Sequence, residues 1–160
     1  MKNYNNLEWP KKLSFGNTGS RTVNKSNISF IKTVVERYQT ADPFQIAKFI
    51  NTEVNWADLG KHSLGNTIYY GIHPIVMLNN SIKDTPQQYL TLAHELGHII
   101  VHPGVRAYQI RRLSCNICEY QANQLTSGFM GLLYVEENGY GPESYYDLVH
   151  CYGSPIQELD

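Results

Sequence analysis

His94, Glu95 and His98 are residues whose types and spacing can do chemistry together. They lie in the run His94-Glu-Leu-Gly-His98, an HExxH pattern whose meaning depends on its being helical. An α-helix turns about 100° per residue, so side chains four apart point within about 40° of each other. Two imidazoles in that relation can reach one cation, and imidazole nitrogen is a favoured zinc ligand. Glu95 falls about 60° round from His98, at the rim of the same face. From there its carboxylate can take a proton from a water at the ion's open position without ligating the ion itself.

A catalytic zinc ion takes three protein ligands and keeps one position for water, so a third donor must come from elsewhere in the chain. Glu119 is the best candidate: it opens the next expected helix, and a helix, a connector and an antiparallel return would bring it back to the histidines. Asn123 lies one turn further on the same face, where it can orient a ligating imidazole, and the small Ala122 lets the two helices approach. His102 is the rival. Pro103 turns the residue before it away from helical geometry, and the drift from His94 reaches about 80°. His102 therefore reads as a helix-end histidine favoured by the macrodipole. Cys115 and Cys118 form a CxxC, but no second ligand pair is evident for a structural zinc site, so they read as ordinary helix-start thiols.

These residues need elements to hold them. The helix carrying the histidines is expected from about Pro86 to His102, started by Asp84-Thr85-Pro86 and stopped by Pro103-Gly104. Its far side carries Leu92, Ala93, Leu96, Ile99 and Ile100, an apolar stripe to bury while the histidines face a cleft. The helix with Glu119 is expected over about Cys115 to Leu132. Upstream, apolar spacing predicts a helix over Ile28 to Tyr38, and Asp42-Pro43 reads as the N-cap and first residue of another. Asn66–Tyr70 and Ile75–Asn79 read as strands joined as a hairpin through Gly71–Pro74, with Val54–Trp56 a further strand. After the break at Gly139–Pro142, a short helix is expected over Glu143 to His150. The expected fold class is α+β: a compact helical, zincin-like domain with a small sheet or hairpin beside the zinc cleft. The expected organisation is a loosely ordered arm over 1–27, a zinc peptidase domain over 28–134 and a short helical segment over 135–160.

Composition narrows the function classes. The chain has 160 residues and a formal net charge of -1, which argues against a broad electrostatic grip on nucleic acid. No window approaches the ~20 apolar residues that span a bilayer, and no signal-peptide pattern opens the sequence. Three cysteines cannot pair fully, so a reducing, cytoplasmic setting is expected.

Taken with their spacing, these residues resemble the ImmA/IrrE family of metallopeptidases. His94-Glu-Leu-Gly-His-Ile-Ile-Val-His-Pro-Gly104 is similar to the family's HELGHxxLHPG, and Glu119-Tyr-Gln-Ala-Asn123 to its ExxAN. Asp42-Pro-Phe-Gln-Ile-Ala47 and Ile75-Val-Met-Leu-Asn79 also resemble family segments, and the likeness covers about residues 28–132. The resemblance implies zinc (Zn2+) held by His94, His98 and Glu119, with Glu95 as the catalytic glutamate. It also implies a protein substrate, a helix-turn-helix repressor of a phage or mobile element. The chain departs from the family in Gln124-Leu-Thr-Ser-Gly-Phe-Met-Gly131, where FAxxLLMP is usual. The family's C-terminal helix-turn-helix-like segment is shortened here, with Asp147–Leu159 as its remnant.

The reaction this implies is peptide hydrolysis, with Glu95 as general base. The hairpin with Tyr69 and Tyr70 offers an edge to an extended substrate, although both tyrosines also suit a half-buried sheet. Tyr70, His73, Arg106 and Tyr108 are alternatives for an oxyanion donor. The rival readings are a regulatory module that sequesters a repressor without cutting it, for which an intact Glu95 is unnecessary, and a DNA-binding regulator, which the charge disfavours.

Overall fold

Local capping signals in the sequence become helix starts in the fold. The computed structural model describes residues 25–102 and 116–153. Helix α1 spans Lys25–Tyr38 and α2 spans Pro43–Phe49. The Asp42 carboxylate accepts the Phe44 N–H at 2.8 Å, and Pro43 occupies the first turn, where its missing N–H costs nothing. Strands β1 (Glu53–Ala57), β2 (Gly65–Tyr70) and β3 (His73–Asn79) follow. A 3₁₀ turn at Asn80–Ile82 leads to α3 (Gln87–Val101), and α4 (Asn116–Asn138) and α5 (Tyr145–Tyr152) complete the described fold. The architecture is α+β, as expected.

The sheet order is β1-β3-β2. β3 pairs in parallel with β1, from Glu53 opposite Ile75 to Ala57 opposite Asn79. It pairs antiparallel with β2, from Gly65 opposite Leu78 to Tyr70 opposite His73. The β2–β3 turn runs through Gly71 at φ 64°, a conformation that glycine adopts without steric cost. Asn79 seats the loop before β2: its buried amide donates to the Gly60 carbonyl at 2.8 Å and the Ser63 carbonyl at 2.7 Å.

One core joins the elements. Ile31 and Val35 of α1, Ile46 of α2, Val76 and Leu78 of β3, and Leu92 and Leu96 of α3 are buried in it. Leu125, Phe129 and Met130 of α4 and Leu148 and Tyr152 of α5 belong to the same cluster. Two close approaches shape it. A Cβ on Gly128 would fall 2.2 Å from Ile31 Cδ1, so α1 crosses α4 at a residue without a side chain. A Cβ on Gly97 would fall 3.2 Å from both Cα and the carbonyl oxygen of Ala122, where α3 meets α4.

Several boundaries differ from the sequence expectation, for physical reasons. α1 starts at Lys25 rather than Ile28, because a helix extends past its apolar stripe. α3 starts one residue after Pro86, which takes the N-cap position without a side-chain cap, while the Thr85 hydroxyl bonds the Ile82 carbonyl. α4 runs to Asn138 rather than Leu132. Its extra turn is held by Glu136, which accepts the Ala41 N–H at 2.6 Å, and by Glu137, which accepts the Tyr152 hydroxyl at 2.5 Å. Gly139, at φ 80°, then ends the helix, its N–H on the Val135 carbonyl. α5 begins at Tyr145, two residues after Glu143, because Ser144 and Asp147 form a capping box there.

Candidate metal centre

The histidines sit where α3 turns its polar face from the core. Leu92, Ala93 and Leu96 are fully buried on one side, while His94 and His98 retain 24% and 11% side-chain exposure. Glu119, in the first turn of α4, is 49% exposed. The close packing of Gly97 on Ala122 brings these surfaces together, since Gly97 precedes His98 and Ala122 lies about one turn after Glu119.

The three side chains converge, each imidazole facing a different oxygen of the one carboxylate. Nε2 of His94 lies 3.1 Å from Nε2 of His98. Glu119 Oε2 lies 3.3 Å from His94 Nε2, and its Oε1 lies 3.3 Å from His98 Nε2. Ligand bonds of ~2.0–2.1 Å in tetrahedral geometry imply donor separations of about 3.3–3.4 Å. These separations are of the size a small tetrahedral cation needs, and two imidazoles with a carboxylate suit zinc chemistry.

The electrostatics point the same way. Hydrogen bonds from His94 and then His98 hold Glu119 well below the usual carboxylate range, against the opposing effect of burial. Burial alone would lower the His94 pKa, but the hydrogen bond to Glu119, the nearby Glu95 charge and the Asn123 side chain outweigh it, and the net shift is upward. Asn123 thus stands beside His94, as its position one turn after Glu119 predicts. Its Oδ1, like His98 Nδ1, is buried and has no partner within hydrogen-bond distance and angle limits among the described residues.

His102 lies apart from this group, its ring 6.4 Å from that of His98. It occupies the C-cap with φ −124°, outside helical geometry, as Pro103 requires. Burial and then the neighbouring His98 lower its pKa. Cys118 is a free, half-buried thiol, whereas Cys115, Arg106 and Tyr108 lie outside the described residues. Tyr70 is 80% exposed and, by strand alternation, faces away from the side of β2 that carries Thr67. His73 is exposed beside the hairpin turn.

Sequence reasoning missed the residues behind Glu95. The Thr67 hydroxyl donates to Glu95 Oε2 at 2.6 Å. A Cβ on Gly65 would fall 3.2 Å from Glu95 Oε1 and 2.8 Å from Thr91 Cγ2. The only available signal was that Gly65 and Thr67 share one face of a strand. Which helix that face meets is a tertiary fact.

Comparisons with known proteins place the chain in a family. The sequence matches the family model "Peptidase_M78: IrrE N-terminal-like domain" over residues 47–134, more than half of the chain. It is also similar to "Uncharacterized immunity region protein 2" of Bacillus phage phi105, with 24% identity over 91 residues. That alignment covers 57% of this chain and 55% of the phage protein, so the chain spans about half the length of the curated relative it matches. The matched residues take in the sheet, the HExxH helix and most of the helix bearing Glu119, and the chain belongs to the IrrE N-terminal-like domain family, peptidase M78.

Proposed function

We propose that this protein is a zinc-dependent endopeptidase that cleaves a helix-turn-helix repressor of a phage or mobile element in the cytoplasm. The observation that carries the reading is the convergence of His94, His98 and Glu119 to separations of 3.1–3.3 Å, with Glu95 next in sequence to the first of them. His94 and His98 would hold zinc through Nε2, and Glu119 through its carboxylate. When bound, zinc supplies a Lewis acid that polarises a carbonyl and acidifies water. Glu95 takes the proton of the attacking water and passes it to the leaving amine. Among the described residues β2 is the outer strand of the order β1-β3-β2 and packs beside α3, a placement suited to laying an extended peptide along the site. The chemistry belongs to residues 28–134 in this reading, with 135–160 as a short helical segment. Support for the target comes from the similarity to a phage immunity region protein.

The test measures zinc content and cleavage of the repressor encoded beside the gene, for wild type and Glu95→Gln. The expected outcome is one zinc per chain in both, with cleavage reduced in Glu95→Gln by about 10²–10⁴-fold. Repressor inactivation without cleavage, equal in the two proteins, would replace catalysis with sequestration. Absence of zinc would remove the basis of the proposal.

A further inference from the structure

We infer that Thr67 is a positioning residue for Glu95, and that β2 is the template that fixes the general base; this rests on the proposed peptidase reading. Glu95 lies on a helix face otherwise open to the cleft, where a free carboxylate would sample several rotamers. Two neighbouring residues of one strand face remove that freedom. Thr67 is 7% exposed, and its hydroxyl, which has a single proton to donate, points it at Glu95 Oε2 from 2.6 Å. Gly65 leaves the space in which the Glu95 side chain lies, since any Cβ there would fall 3.2 Å from its Cγ and Oε1. One residue bonds the carboxylate and the other makes room for it.

The strand is itself fixed. Thr67 pairs with Val76, which is fully buried, and Gly65 pairs with Leu78, also fully buried. A slip of β2 by one residue would turn Thr67 outward and bring Ile68 against Glu95. The loop before β2 is tied to Asn79, and the Ser63 hydroxyl bonds the Gly65 carbonyl at 3.0 Å. The hydrogen bond therefore runs from a rigid sheet to the side chain that must move a proton. Bonding one carboxylate oxygen fixes the plane of the group and leaves the other oxygen to accept that proton. Small displacements of a catalytic group cost large factors in rate, so the positioning is worth most in the turnover step.

The experiment compares Thr67→Val, Thr67→Ala and Thr67→Ser with wild type, using the neighbouring repressor as substrate. Zinc per chain and thermal midpoint are read on each protein. The inference expects Val and Ala to lose roughly 10–100-fold in kcat with KM and zinc content unchanged, and Ser to retain wild-type kcat. Loss that follows side-chain size, with Ser falling alongside Ala while Val stays active, would mean that the methyl packs and the hydroxyl does nothing. That would overturn the inference, as would full activity in all three. Glu95→Gln runs alongside. If it matches wild type, the peptidase reading fails and the positioning role falls with it. If it is inactive while Thr67→Val is fully active, the positioning role alone is wrong.

Discussion

Protons and zinc compete for the same atoms at this site, and the direction of each pKa shift decides which wins at a given pH. In the metal-free protein the His94 pKa is raised from its ordinary 6.5 and the Glu119 pKa is lowered from 4.5. A raised histidine contributes stability that is fully present below 6.5 and is lost as the pH rises through the shifted value. A lowered carboxylate contributes stability that is present above 4.5 and is lost as the pH falls through its depressed value. The His94–Glu119 pair therefore holds the metal-free protein best between about pH 4.5 and 6.5. Zinc requires the neutral imidazole, so its affinity has the opposite slope there. Two outcomes follow for thermal melts with and without a chelator. The metal-free midpoint should lose the His94 contribution from pH 6 to pH 8.5, while the rise caused by zinc should grow over the same range. Calorimetry should show more protons released per zinc at pH 6.5 than at pH 8.5. A zinc-induced rise that shrinks with increasing pH would contradict the assignment of His94. Glu95 and His98 were legible in the sequence because the HExxH spacing is local. Thr67 was not, because its partner lies 28 residues away along the chain and the contact exists only once β2 lies on α3.

The helices fix the distance of Glu119 from the two histidines through their separation, and one glycine sets that separation. Gly97 lies 3.2 Å, measured from an added Cβ, from two backbone atoms of Ala122, and backbone cannot rotate out of the way as a side chain can. Gly97→Ala would push α3 and α4 apart between His98 and Glu119, and the 3.3 Å separations between the imidazoles and the carboxylate would open. Zinc affinity is expected to fall about 10–100-fold, the range for perturbed supporting contacts, in competition titrations with a chromophoric chelator. Serine at Ala122 adds an atom on the same side and should act in the same direction. Unchanged affinity in Gly97→Ala would mean that the helices have slack at this crossing. At this scale the sequence was informative about element type and order. Every α-helix and strand among the described residues was anticipated, because capping residues, strand alternation and the Gly139 break are local signals; the 3₁₀ turn at Asn80–Ile82 was not. The ends were less legible. The last turn of α4 depends on Glu136 reaching the Ala41 N–H and Glu137 reaching Tyr152, partners that spacing along one helix does not reveal. The parallel pairing of β1 with β3 was equally hidden, since the hairpin signal concerns only β2 and β3.

The whole molecule gives the site its rigidity, because the helices that carry the ligands also carry the core. Leu92 and Leu96 of α3, and Leu125 and Phe129 of α4, are buried in one cluster with residues from α1, α2, β3 and α5. Zinc binding should therefore register as global stability rather than as local ordering. A ligand held at one hundred times its Kd adds about 2.7 kcal/mol to the folded state. In a chain of this size, about 1 kcal/mol moves the thermal midpoint by roughly 2–4 °C, so a chelator should lower it by roughly 5–11 °C in a single cooperative transition. Leu148 offers the complementary test from the far end of the chain. It is 1% exposed on α5, and Leu148→Ala should cost about 2–5 kcal/mol through lost burial and a residual cavity. Leu148 contributes no atom to the donor group, so the two effects should add. The melt of Leu148→Ala should fall with and without zinc by the same free energy, leaving the zinc-dependent rise intact. A variant that lost this rise while remaining folded would show that α5 does more than cover the core, and that the packing of α3 on α4 depends on it.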